Sequence, residues 1–210
     1  MKNFNLIIIF VLLNNFIYLN LQSKINNTIV VKVGKLVITS IDLENAIITS
    51  LIINNKEVTQ VNIDNNKNYS MKNLVNKAMK QSEIKKYQVE NYNQDDLQNY
   101  IKKTAENLQT NQNGLIKIFK QSNINYETFV EMHKIELLWN TLIYQLYKNQ
   151  ANINIVDVDN EVEKIKENMS EEEIKKIKQK IFNKKKEEKF VLFSRSHLSN
   201  LENTIIIEFQ

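Results

Sequence analysis

His133 and His197 are the two histidines of the chain and the first places to look for chemistry. A histidine can serve as acid, base or metal ligand near neutral pH. Neither has the sequence neighbours that such work needs. His133 lies in FKQSNINYETFVEMHKIELLWNTLIYQL, from Phe119 to Leu146, beside the sole tryptophan, Trp139. No H-E-x-x-H pattern accompanies it, and a metal shared with the distant His197 would also require oriented carboxylates. The absence of cysteine excludes disulfides, thiolate metal sites and cysteine nucleophiles. No G-x-S-x-G stretch is present, so nucleophilic catalysis by serine has no support. Carboxylates cluster at Asp95-Asp96, at Asp157, Asp159 and Glu161, and at Glu171, Glu172 and Glu173. Each cluster falls at an expected helix start, where capping and the helix dipole account for acids. The expectation is a non-enzyme with no catalytic, metal-binding or cofactor-binding residue.

Composition narrows the partners. The only glycines, Gly34 and Gly114, are too far apart to build a phosphate-cradling loop, so no nucleotide is expected. The net charge is +4 over 210 residues and rests on lysine, with Arg195 the sole arginine. Lysine and glutamate are interspersed along the chain, whereas readers of nucleic acid concentrate positive charge and favour arginine. No nucleic-acid partner is expected. The lysine run from Lys175 to Lys189 could attract acidic partners or lipid head groups. Glu187 and Glu188 interrupt it, and a solvated helix face explains it as well.

The elements that would carry these residues begin after an address. Residues 1–23, MKNFNLIIIFVLLNNFIYLNLQS, have a lysine start, an apolar run from Leu6 to Leu13 and a small residue at Ser23, the plan of a secretory signal. An uncleaved anchor is the alternative. Either way the remainder, 24–210, is expected to be exported, and the two ends of that remainder are expected to join in a single domain.

Thr28 to Val33, a Gly34-Lys35 turn and Leu36 to Thr39 predict a hairpin. Thr39 and Asp42 have capping-box spacing ahead of Ile47, Ile48 and Leu51. The asparagine-rich stretch from Asn54 to Asn68 reads as a loop, with Ser70 capping a helix that carries Met71, Leu74, Val75 and Ala78. Further helices are predicted near Asp95, with Leu97, Ile101, Ala105 and Leu108 inward, and from Asn113 to Ser122. The latter stops at Asn123, a residue tolerant of left-handed backbone.

Two stripes mark the helix from Tyr126 to Asn149. Met132, Ile135, Trp139, Leu142 and Leu146 form one; Tyr126, Phe129, Val130, His133 and Leu137 form the other. So wide an apolar arc predicts packing on more than one side. Asn152 to Val156 reads as an extended connector, Asp157 as the cap of a helix with Val158, Val162 and Ile165 inward, and Ser170 as the start of another. Lys184 to Lys186 reads equally as helix or loop, and so does the rest of the stretch to Lys189. Phe190, Phe193 and Leu198 restore a helical face, and Thr204 to Phe209 reads as a strand. A lone strand must pair, so the C-terminus should meet the N-terminal hairpin. The fold class expected is mostly α, with a small antiparallel sheet made by that hairpin and a C-terminal strand, and 170–210 completing the N-terminal core.

In this order the pieces resemble the chaperone core of SurA-type periplasmic proteins. IVVKVGKLVITSIDLENAI is similar to that family's opening strand, turn and capped helix. LVNKAMKQSEIKKYQVENYN resembles the next helix, and NQDDLQNYIKKTAENL the one with an acidic cap. The most specific stretch is GLIKIFKQSNINYETFVEMHKIELLWNTLIYQLYKNQANINIVDVDNEVEKI, where Tyr126, Phe129, Ile153, Ile155, Glu161 and Val162 hold the family's positions. FSRSHLSNLENTIIIEF resembles the element that returns to complete the core. Asn123 stands where the family usually has glycine. The parvulin-type isomerase domains that the family often inserts have no counterpart between Met169 and Lys184. The resemblance implies an ATP-independent holdase of the periplasm that binds unfolded outer-membrane or envelope proteins and lacks isomerase activity. Transient contact with the membrane or the outer-membrane assembly machinery goes with that role. The alternative is an exported assembly module that docks on one fixed partner. Which residues would bind clients is unknown from sequence, because a stripe facing a core and one facing a cleft look alike.

Overall fold

Ile29–Val33 is rich in β-branched residues and forms strand β1; the chain turns at Gly34, whose φ of 56° suits glycine, into β2, Leu36–Thr39. These elements come from a computed structural model, which describes residues 27–167 and 169–210. The expected signal segment, 1–23, lies outside the described residues. Thr39 caps α1, Ser40–Ile53, and its side chain accepts from the Asp42 backbone N–H while Asp42 reaches back to the Thr39 backbone N–H at 2.8 Å. The remaining helices are α2, Gln60–Lys86; α3, Gln94–Asn107; α4, Gln112–Gln121; α5, Tyr126–Tyr147; α6, Ile155–Glu163; and α7, Glu171–Thr204. Strand β3, Ile207–Phe209, pairs antiparallel with β1, giving a three-stranded sheet in the order β2-β1-β3. The architecture is therefore mostly α with a small antiparallel sheet, and the C-terminal strand does meet the N-terminal hairpin.

Several boundaries differ from expectation, each for a local reason. The stretch from Asn54 to Asn68 is not one loop, because α2 already starts at Gln60. Thr59 caps it, Gln60 bonds Asp64 at 2.9 Å and Asn66 bonds the Asn62 carbonyl at 2.8 Å. Ile63 and Met71 then pack on Leu43, Ile47 and Leu51 of α1, and that burial overrides the weak helix propensity of asparagine. Ser70 is consequently not a cap; it is a buried residue inside α2. The cap of α6 is Asn154 rather than Asp157, which sits in the first turn, and Ile155 and Val156 belong to that helix instead of an extended connector. Thr204 ends α7, so the strand begins three residues later than expected. The ambiguous Lys184 to Lys189 stretch is helical, inside a 34-residue α7 about 51 Å long. Ser170 opens it with a capping box to Glu173.

α5 carries both of its stripes into cores. Ile135, Leu138, Trp139, Leu142 and Ile143 join Val31, Val33, Val75, Met79 and Leu201 in one cluster. Phe129 joins Leu97, Ile101, Leu115 and Phe119 in a second, where its ring lies 5.0 Å from that of Phe119. Asn123, at φ 56°, makes the left-handed turn between α4 and α5.

Candidate binding groove

The outer edge of the sheet sets the geometry of the best candidate site. In an antiparallel ladder, alternate residues turn their N–H and C=O toward the neighbouring strand. Gly34 N–H bonds the Ile206 carbonyl at 2.9 Å and Gln210 N–H bonds the Val30 carbonyl at 3.0 Å. With Lys32 opposite Glu208 in the same register, residues 206, 208 and 210 face β1. The backbone groups of Ile207 and Phe209 therefore point away from the sheet, along an edge that no other strand covers among the described residues.

Two apolar openings flank that edge. One, of about 440 Å³, is lined by Met71 and Val75 of α2, Glu202 of α7, and Ile207 and Phe209. The other, of about 590 Å³, lies between Leu43, Ile47 and Ile48 of α1, Ile63 and Met71 of α2, and Val30 and Phe209 of the sheet. Met71 and Phe209 belong to both, so the openings adjoin. Phe209 stands between them with 68% of its surface exposed, whereas Val31, opposite it on β1, and Val33, opposite Ile207, are fully buried. An aromatic ring left in solvent beside unpaired backbone is chemically suited to an extended peptide: the edge offers hydrogen bonds and the openings take side chains.

The residues singled out by sequence lie elsewhere. Trp139 is fully buried and its Nε1–H donates to Ser194 Oγ at 2.7 Å, so it is sealed in the core. The His133 ring lies against Tyr100, tilted by 30° with centroids 3.4 Å apart, and meets Phe129 edge-on at 5.0 Å. Burial pushes its pKa down to about 4, which keeps it neutral at physiological pH. It also borders a cleft of about 330 Å³ with Lys77, Lys80 and Glu136. There Lys80 is held by Glu136 at 2.6 Å, and burial lowers the pKa of Lys77 despite nearby Glu131 and Asp42. His133 Nε2 is buried without a hydrogen-bond partner and faces no activated nucleophile, so the arrangement is one of ring packing.

His197 belongs to a clasp that fastens α7 to α2 and α5. Its Nδ1 shares a 2.8 Å hydrogen bond with the Tyr147 hydroxyl. Its Nε2 lies 3.4 Å from a carboxylate oxygen of the buried Glu83, a contact without hydrogen-bond alignment. Lys86 reaches the same carboxylate at 2.9 Å. The two histidines sit in different clusters and are not brought together. Among the described residues, no group of three or more His, Asp or Glu side chains could hold a metal ion.

The carboxylate clusters open helices: Asp95 and Asp96 lie in the first turn of α3, Asp157 in that of α6, and Glu171 to Glu173 in that of α7. Further along α6, Asp159 and Glu161 pair with Lys178 and Lys185, both at 2.5 Å. Part of the lysine run is thus committed to holding α6 against α7. The groove itself was legible in sequence only as Met71 and Val75 on one helical stripe and as TIIIEF, a strand that had to pair. Nothing local marks Phe209 as exposed.

No protein-family model matches the chain, and a search of curated proteins finds no match.

Proposed function

We propose that the protein is an ATP-independent, exported holdase that binds unfolded outer-membrane or envelope proteins in the periplasm, without prolyl isomerase activity. The reading rests on the resemblance of its sequence to SurA-type chaperone cores. One structural observation carries it further: an apolar groove shared by Met71 and Phe209 lies beside an unpaired strand edge. An extended client segment adds to β3 through the outward groups of Ile207 and Phe209 and lowers apolar side chains into the two openings. Exposed apolar surface of this kind binds without chemistry and without nucleotide. No helix among the described residues is long and apolar enough to cross a membrane.

The test is suppression of aggregation. The purified protein, mixed with a denatured outer-membrane protein diluted out of urea, should hold it soluble at near-stoichiometric ratio. A folded sample that leaves aggregation unchanged overturns the reading. Capture of one saturable partner, with indifference to generic unfolded chains, would instead identify an assembly module.

A further inference from the structure

The chain as a whole is positive, at +4, yet the rim of the groove is not. Glu44 and Asp64 line one opening and Glu202 the other, with Glu208 on the edge strand between them; Lys67 and Lys72 are the lysines that line the two openings. Glu208 is the central residue of β3, and among the described residues it makes no ion pair, although Lys32 stands opposite it on β1. The alternation that turns Ile207 and Phe209 outward also fixes what Glu208 meets. In an added antiparallel strand, the residues opposite 207 and 209 exchange backbone hydrogen bonds and point their side chains at the openings. The residue opposite Glu208 forms the close, non-hydrogen-bonded pair, with Cα atoms about 4.5 Å apart and side chains together on the other face.

We infer that Glu208 selects the charge of the captured segment: the groove takes an extended chain in which a lysine or arginine is flanked on both sides by apolar residues. The inference rests on the strand-capture reading of the same groove and names its partner more closely. Opposite charges directly across a strand pair stabilise it and like charges oppose it. An acidic residue at that place is repelled by Glu208. The same rule disfavours β3 pairing with β3 of a second copy, because the two-fold arrangement would set Glu208 against its own equivalent. Glu208 thus keeps an exposed edge from closing on itself while leaving it open to cationic segments.

The experiment is a charge swap read by fluorescence anisotropy. Two labelled ten-residue peptides are used, identical except for a Phe-Lys-Phe or a Phe-Glu-Phe centre. The protein should bind the lysine peptide about five-fold more tightly at low salt, and the preference should shrink at high salt. Glu208→Lys should reverse it, and Glu208→Gln should remove most of it while binding persists. Equal affinities for the two peptides, or a preference that Glu208→Lys leaves unchanged, overturns the inference. So does failure to bind either peptide. If aggregation of an unfolded outer-membrane protein is nevertheless suppressed, the holdase reading stands and only the role of Glu208 falls.

Discussion

The centre of α5 and the edge at β3 use the same kinds of side chain for opposite ends. Around Trp139, aromatic, methionine and valine side chains are enclosed by β1, α2, α5 and α7, and the indole N–H is satisfied by Ser194. Around Phe209, methionine, valine and isoleucine again come together, between α1, α2, Glu202 of α7 and the strands β1 and β3, but among the described residues no strand covers the outer flank of β3. The missing neighbour beyond β3, more than side-chain type, separates core from groove here. A fourth strand beyond β3 would have turned the second region into the first.

The largest expected effect sharpens the dry side of that contrast. Trp139→Ala should cost about 3–5 kcal/mol of folding stability, seen as a lower urea midpoint with an unchanged slope. A loss below about 1 kcal/mol would show that α5 is not the centre of the fold. Next comes acid. The folded pKa of His133 is about 4, below its ordinary 6.5, because burial disfavours the charged ring. The unfolded chain therefore takes up the proton first as pH falls. His133 contributes its full stability above pH 6.5, and this is lost as pH drops toward 4, by at most about 3 kcal/mol. His133→Phe, which keeps a ring against Tyr100, should flatten the stability–pH curve across that window. A curve parallel to that of the parent would break the assignment.

Smaller changes probe the clasp and the groove. Tyr147→Phe removes the 2.8 Å bond to His197 and should cost about 1 kcal/mol in urea unfolding; no change would mean that stacking on Phe193 alone seats α7. Phe209→Ser should alter stability by no more than about 0.5 kcal/mol, yet markedly weaken the suppression of aggregation. If it destabilised the fold as Trp139→Ala does, the groove would be core after all. If it changed neither quantity, Phe209 would have no part in capture.

Much of the fold could be read from local chemistry. The reciprocal bonds of Thr39 with Asp42 and of Ser170 with Glu173 are written at fixed spacing, and so is the left-handed stop at Asn123. Pairing of the last strand with the hairpin followed from a simple need, since a lone strand cannot stand. The N-terminal part of α2 was hidden because its asparagines argue against helix one by one. Only the burial of Ile63 and Met71 on α1, a tertiary fact, reverses them. The groove was hidden for a related reason. Met71 and Leu74 share the apolar face of α2, and no pattern tells which neighbour will be missing. The start of β3 was misplaced because Ile205 and Ile206 continue an apolar run across a helix end.

One consequence of the strand order concerns time rather than shape. β3 follows all seven helices of the described chain, yet it pairs with β1, the first of the elements. A chain that emerges N-terminus first presents its hairpin and α2 well before Phe209. Until the final strand arrives, the capture edge does not exist, and β1 has a bare flank of its own. Closing so long a stretch of chain is a slow kind of contact to form. On the proposed reading, capture by this edge has to wait until the last strand has emerged and paired.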